Sequence, residues 1–349
     1  MRFHIKYAAF LAALLVVLVV GAACGETDDS DGRLSVVASI YPMGYFAERV
    51  GGDRVTVDVL IEPGMEAHGF EPTASHLRNI GAADVVVMNG LELEPWLERA
   101  LEALEENAEQ VVVETADASQ AVEGFAHEHD EAEGEDHGEE GKEEEHEEGK
   151  DEDHEEGEDE DHEEDGEEGE EHGEELDPHM WLDPLLAVVQ VERIRDALIR
   201  ADADNADTYR ANASTVITEL NTLHGEFMEG LANCRHDHFV TSHAAYAYLG
   251  LRYSAEQIPV TGLSPEAEPS PRQLAAITDR VTELGLGYVL VEPVLSDGLA
   301  QTIAREAGIE LIPFHAIGSV TDDELETHGD YFGLMRNNLA SLKVALECA

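Results

Sequence analysis

Positive charge is scarce in this sequence. Its 349 residues hold 20 Lys and Arg against 78 Asp and Glu, a formal net charge of −58 at pH 7 with His neutral. Phosphate would be repelled, which excludes nucleic acid as a partner. Cysteine is nearly absent, with Cys24, Cys234 and Cys348 the 3 in the chain. A His-Glu-x-x-His run is missing, so the two-histidine helix of many zinc proteases is not here. The apolar run Ala8 to Val20 is too short for a membrane span, which takes ~20 residues.

What is abundant lies in one place. Residues 127–175 hold 31 acids, 7 His, 8 Gly, 2 Lys and 1 Ala, a local charge of −29, half of the chain's −58. Such a run buries no apolar surface and cannot offset its ordering entropy. It is expected to be a disordered, self-repelling loop over 123–176. Its imidazoles, His127, His129, His137, His146, His154, His162 and His172, stand among carboxylates and form a loose, low-affinity sponge for divalent transition metals.

The N-terminus reads as an export signal over 1–24. Arg2, His4 and Lys6 make a positive start, the apolar run follows, and Gly21-Ala22-Ala23 precedes Cys24. Small residues ending in Cys resemble a bacterial lipobox, with Gly21 where Leu is usual. Cys24 would then be lipidated and anchor the chain to the outer face of the cytoplasmic membrane. Residues 25–32 form a polar linker. In an exported chain the remaining pair, Cys234 and Cys348, is expected as a disulfide, with two buried thiols as the alternative.

About 250 residues remain for structure, enough for two domains of ordinary size. Short β-branched runs at 34–40, 55–61, 84–90 and 110–113 read as strands, with helices after Pro42, at 75–83 and at 95–107. Pro184 to Asp202 is amphipathic, and 204–231 is a long helix with Tyr209, Val216, Leu220, Leu223, Phe227 and Leu231 on one side. A second series follows: strands at 239–242, 254–258, 288–291 and 310–313, helices at 244–249, 270–284, 298–307 and 327–346. The fold class is therefore α/β, with two lobes, each a parallel sheet flanked by helices. The lobes are 33–203 and 232–349, joined by the helix 204–231, with a cleft between them. Ligands of open parallel sheets bind past the carboxyl ends of the strands.

His68, His243 and His315 lie just past strand ends, and His179 lies on a loop entering a helix, two from each lobe. Any one alone reads as a capped or solvated loop residue. Together, four neutral imidazoles satisfy tetrahedral Zn²⁺ at ~2.0–2.1 Å. His224, His236, His238 and His328 lack this placement and read as surface residues. Glu71, Glu292 and Asp183 stand near the histidine blocks. Each could orient a ligand imidazole through its second nitrogen, or serve as a solvated or capping carboxylate.

Three blocks, Pro63-Gly64-Met65-Glu66-Ala67-His68-Gly69-Phe70-Glu71-Pro72, Asp177-Pro178-His179-Met180-Trp181-Leu182-Asp183-Pro184 and Val240-Thr241-Ser242-His243-Ala244-Ala245-Tyr246, carry a resemblance, with Ser264-Pro265-Glu266-Ala267-Glu268-Pro269-Ser270-Pro271 as a fourth. The chain resembles the solute-binding lipoproteins of bacterial ABC importers for zinc and manganese, over nearly all of its mature length. The resemblance implies a carrier, not an enzyme. It implies His68, His179 and His243 as ligands, an ABC permease as partner and a lipid anchor; a monomer is expected. The family's usual Asp in the fourth position is His315 here, so His315 is expected as the fourth ligand, with Glu292 or water as alternatives. Imidazoles suit Zn²⁺ better than Mn²⁺, which prefers oxygen. Three other functions compete with a zinc carrier: a manganese carrier, an exported zinc hydrolase and a metal-buffering surface adhesin.

Overall fold

The computed structural model describes residues 32–104, 109–122, 176–266 and 269–349. The export signal with Cys24, nearly all of the linker and the seven loop histidines lie outside the described residues.

Two four-stranded sheets form the frame, with orders β2-β1-β3-β4 and β6-β5-β7-β8. The first comprises β1 (Leu34–Ala38), β2 (Val55–Val59), β3 (Val85–Met88) and β4 (Val111–Glu114). The second comprises β5 (His238–Thr241), β6 (Glu256–Pro259), β7 (Tyr288–Val291) and β8 (Glu310–Pro313). Every pairing is parallel. Both orders reverse direction at the strand that starts the lobe, between β1 and β3 and between β5 and β7. Such switch points open a crevice at the strands' carboxyl ends.

The expected strands and helices form, with shifts that have physical causes. Helix α1 (Tyr41–Gly51) starts before Pro42, which sits in the first turn where a missing N–H leaves nothing unsatisfied. Gly44 lies inside it because a Cβ there would stand 2.4 Å from Val59 Cγ2. Helix α2 (Ala74–Ala82) is capped by Thr73 rather than Ser75, with His76 closing a capping box. Helices α3 (Pro95–Ala103), α4 (Pro184–Ala201) and α5 (Ala206–Gly230) follow. Helix α6 (Ala247–Tyr253) begins three residues later than expected from 244. Helices α7 (Pro271–Leu284) and α8 (Gly298–Ala307) stand as read. The single final helix expected over 327–346 is instead two, α9 (Asp322–His328) and α10 (Tyr331–Ala345). Thr321 and Glu324 box the start of α9, Gly329 breaks it at φ 92°, and Asp330 caps α10. Those start and stop signals outrank the apolar periodicity that runs through them.

Helix α5 packs along α1 and α4 and reaches α10. Its Tyr209, Val216, Leu220, Leu223 and Phe227 are buried, whereas Leu231 is only partly so. Truncating one such side chain to Ala costs ~2–5 kcal/mol. Phe46 from the first lobe and Phe239 and Phe314 from the second belong to one continuous core, so the lobes are welded rather than loosely hinged. The Cys234–Cys348 disulfide is formed and ties the chain end to the residues after α5. No helix among the described residues is long and apolar enough to cross a membrane.

Candidate metal centre

The histidines are delivered to the crevice by strand ends. Glu292 directly follows β7 and His243 stands two residues past β5, the two strands of the second switch point. His68 comes from the long connection after β2, and His179 from a short 3₁₀ turn ahead of α4 (Met180–Leu182). One donor atom from each of His68, His179 and His243 lies within 4.8 Å of the others, the one such group among the described residues. The rings of His68 and His243 both face that of His179, with centroids 5.4 and 5.3 Å away.

Carboxylates fix two of these rings. His179 donates from Nδ1 to Asp177 Oδ1 at 2.8 Å. His243 donates from Nδ1 to Glu292 Oε1, which also accepts from Ser242 Oγ at 3.1 Å. With Nδ1 carrying the proton, each Nε2 keeps its lone pair, the tautomer that metal binding needs. The two Nε2 atoms then face each other at 3.5 Å. Two bare lone pairs at that distance repel unless a cation lies between them, a metal ion or, in its absence, a proton. Zn–N bonds of ~2.0–2.1 Å in a tetrahedron place neighbouring nitrogens about 3.3 Å apart, close to this spacing.

The titration behaviour agrees with the geometry. Burial, with His179 and His243 adding to it, pushes the His68 imidazole down to about 2, so it stays neutral. Burial opposes charge on His243 as well, but the Glu292 carboxylate outweighs it and holds the ring above the usual 6.5. The cavity around the group is about 40 Å³. That admits an ion with little else, whereas organic ligands need ~300–1,000 Å³.

His315 lines the same cavity but is not brought into the group of three. Its Nδ1 donates to Glu324 Oε1 at 2.8 Å instead. Glu292 orients an imidazole, one of the three roles open to it from sequence beside fourth ligand and solvated or capping carboxylate. Asp183 does not: it caps α4 through Leu185 N–H and pairs with Arg252 at 2.7 Å. Glu71 is exposed. Asp177, which sequence reasoning missed, does for His179 what Glu292 does for His243; its position two residues earlier in the same block was the available signal. His224, His236, His238 and His328 are partly buried rather than on open surface, with His224 against Tyr253 and His328 against His315.

The comparisons point one way. The family described as "Zinc-uptake complex component A periplasmic" matches residues 36–345. The chain is 33% identical to the zinc-binding lipoprotein AdcA of Streptococcus pneumoniae over 97% of its own length and 60% of that protein. It is 31% identical to the high-affinity zinc uptake system protein ZnuA of Bacillus subtilis, over 97% of this chain and 96% of that one. The Zn(II)-bound ZnuA-like domain of Streptococcus pneumoniae AdcA superposes with a TM-score of 0.68 at 29% identity, covering 90% of this chain and all of that domain. The Streptococcus agalactiae laminin-binding protein, described as bifunctional in adhesion and metal transport, also gives 0.68, at 26% identity over 90% and 99% of the two chains. The family match over most of its length places this chain in the ZnuA family, the zinc-uptake complex component A proteins.

Proposed function

We propose that this protein captures Zn²⁺ outside the cytoplasmic membrane and delivers it to an ABC permease. The observation that carries this is the convergence of His68, His179 and His243 in a cavity sized for an ion. Nitrogen donors favour zinc over manganese, and the relatives AdcA and ZnuA are named for zinc binding and zinc uptake. His68, His179 and His243 hold the ion, the last two through Nε2, and the fourth position is completed by His315, which lines the same cavity, or by water. Lipidation at Cys24 keeps the carrier at the membrane.

The acidic segment 127–175 serves as the collector. Its −29 charge concentrates cations over a Debye length of ~8–10 Å. The described residues flanking it meet where Asp177 N–H donates to Val122 O at 3.0 Å, and Asp177 itself grips His179. The chain leaving the collector thus reaches a ligand within four residues, at His179. A laminin-type adhesive role is the second reading, favoured by the likeness to the Streptococcus agalactiae protein.

The test is competition. Full-length protein stripped of metal and offered equimolar Zn²⁺ and Mn²⁺ is expected to take up zinc in a single tight site. Preferential uptake of manganese would overturn the assignment. Hydrolase activity lost in Glu292→Gln with zinc retained would instead indicate an enzyme.

A further inference from the structure

The two ligands whose Nε2 atoms face each other, His179 and His243, both stand on irregular backbone. Buried polar groups in such turns need partners from elsewhere in the chain. In the second lobe one side chain supplies them. Gln257 lies in β6, opposite Phe239 of β5, and is 3% exposed. Its Nε2 donates to the His243 carbonyl at 2.7 Å and to Thr241 Oγ1 at 2.6 Å. Its Oε1 accepts from Tyr246 N–H at 3.0 Å. Thr241 Oγ1 in turn donates to the same His243 carbonyl at 2.8 Å. The carboxamide thus spans the turn from Thr241 to Tyr246 with both its ends used.

The first lobe repeats the device. Asn89, fully buried directly after β3, donates from Nδ2 to Pro178 O at 2.9 Å, one residue before His179. Its Oδ1 accepts from Gln190 Nε2 at 2.9 Å. Neither Asn89 nor Gln257 lines the metal cavity. Their effect on an ion passes through the backbone of the ligand turns. Glu292 sets the rotation of the His243 ring through Nδ1, and Gln257 sets the point from which the ring projects.

The spacing held in this way discriminates between ions. The two Nε2 atoms are 3.5 Å apart. A tetrahedral ion places neighbouring nitrogens about 3.3 Å apart, whereas an octahedral ion with equal bonds draws them to about 3.0 Å. A turn free to slide would adapt to either geometry. We propose that Gln257 is a positioning residue that makes the centre selective for tetrahedral ions, by locking the His243 turn at the wider spacing. This rests on the reading of the three-histidine centre as a zinc site.

The experiment measures Zn²⁺ and Ni²⁺ affinity by chelator competition in the full chain and in Gln257→Met, which keeps the length of the side chain and removes its hydrogen bonds. Tight zinc binding by the parent is established first; its absence would remove the centre itself, and this proposal with it. Gln257→Met is expected to weaken zinc about tenfold, within the range for groups that orient metal ligands. Ni²⁺, which favours other geometries, is expected to lose less, so the preference for zinc over nickel falls. A role in folding alone would lower the melting temperature of the metal-free protein and leave the ratio of the two affinities as it was. An unchanged or increased ratio would overturn the proposal. Thr241→Val, which removes one donor to the His243 carbonyl and one acceptor from Gln257, is expected to shift the ratio in the same direction by a smaller factor. It carries the test if Gln257→Met fails to fold.

Discussion

Asp177 holds His179 twice: its Oδ1 accepts from the His179 backbone N–H at 2.9 Å and from ring Nδ1 at 2.8 Å. The carboxylate sets both the position of the ring and its tautomer. It is fully buried, and its other oxygen has no protein donor. A buried carboxylate bonded on one side is costly, and the arrangement is stabilised when a cation binds beyond the imidazole.

Asp177→Asn keeps an oxygen for both N–H groups but removes the charge. Zinc affinity is expected to fall about 10- to 100-fold, the range for orienting partners of metal ligands. Chelator competition measures it, and far-ultraviolet circular dichroism should be unaltered. An affinity within a factor of ~2 of the parent would show that the charge contributes nothing.

Zinc binding should release a proton near neutral pH. Glu292 holds the metal-free His243 above 6.5, so its Nε2 is protonated in the window between 6.5 and that raised value. Zinc must displace this proton, so affinity falls as pH drops through the window. His68, pushed down to about 2, has no proton to give there. Calorimetry in buffers of different ionisation enthalpy reads the proton count. Glu292→Gln is expected to reduce it, because the imidazole loses the charge that raised its pKa.

Glu94 gives a pH signature away from the metal. It is buried between β1 and β3 and accepts from Ser39 Oγ, Asn89 N–H and Gly90 N–H at 2.5, 2.8 and 3.0 Å. Burial nevertheless pushes it up to about 7 from 4.5. Between those values the folded state holds a proton that the unfolded chain has released. Stability from this group is therefore full below 4.5 and is lost as pH rises to about 7, by about 3 kcal/mol. Denaturation of the metal-free protein across this range should show the decline, and Glu94→Gln should remove that part of it. Parallel curves for the two proteins would contradict the assignment.

Reducing the Cys234–Cys348 bond opens a loop of 114 residues. By chain entropy the loss of stability is ~4–5 kcal/mol. Neither cysteine lines the histidine cavity, so zinc stoichiometry should stay the same while the melting temperature falls. A change in stoichiometry on reduction would show that the C-terminal tie shapes the cleft.

Much of this could be read from the chain before any coordinates. Unbroken β-branched runs such as Val85-Val86-Val87 mark buried parallel strands, because both faces are covered. Histidines just past strand ends mark the crevice. What could not be read depends on tertiary distance. His315 has the same sequence setting as His243, a strand end, yet only His243 joins the group, because β5 lies at the switch point and β8 at the sheet's edge. Glu324 is legible as a helix-capping residue but not as the partner of His315, since one carboxylate does both. Asp177 is not legible as the partner of His179, because an Asp before Pro reads as a turn residue.

The central claim is that the tight site is the cleft and not the acidic run. The deciding measurement is zinc affinity by chelator competition in two full-length variants. In one, His68, His179 and His243 become Ala. In the other, His127, His129, His137, His146, His154, His162 and His172 do. The account predicts that the first loses the tight site and retains only weak binding, while the second keeps one tight site and loses the weak ones. Tight binding that survives in the first variant and disappears in the second would contradict it.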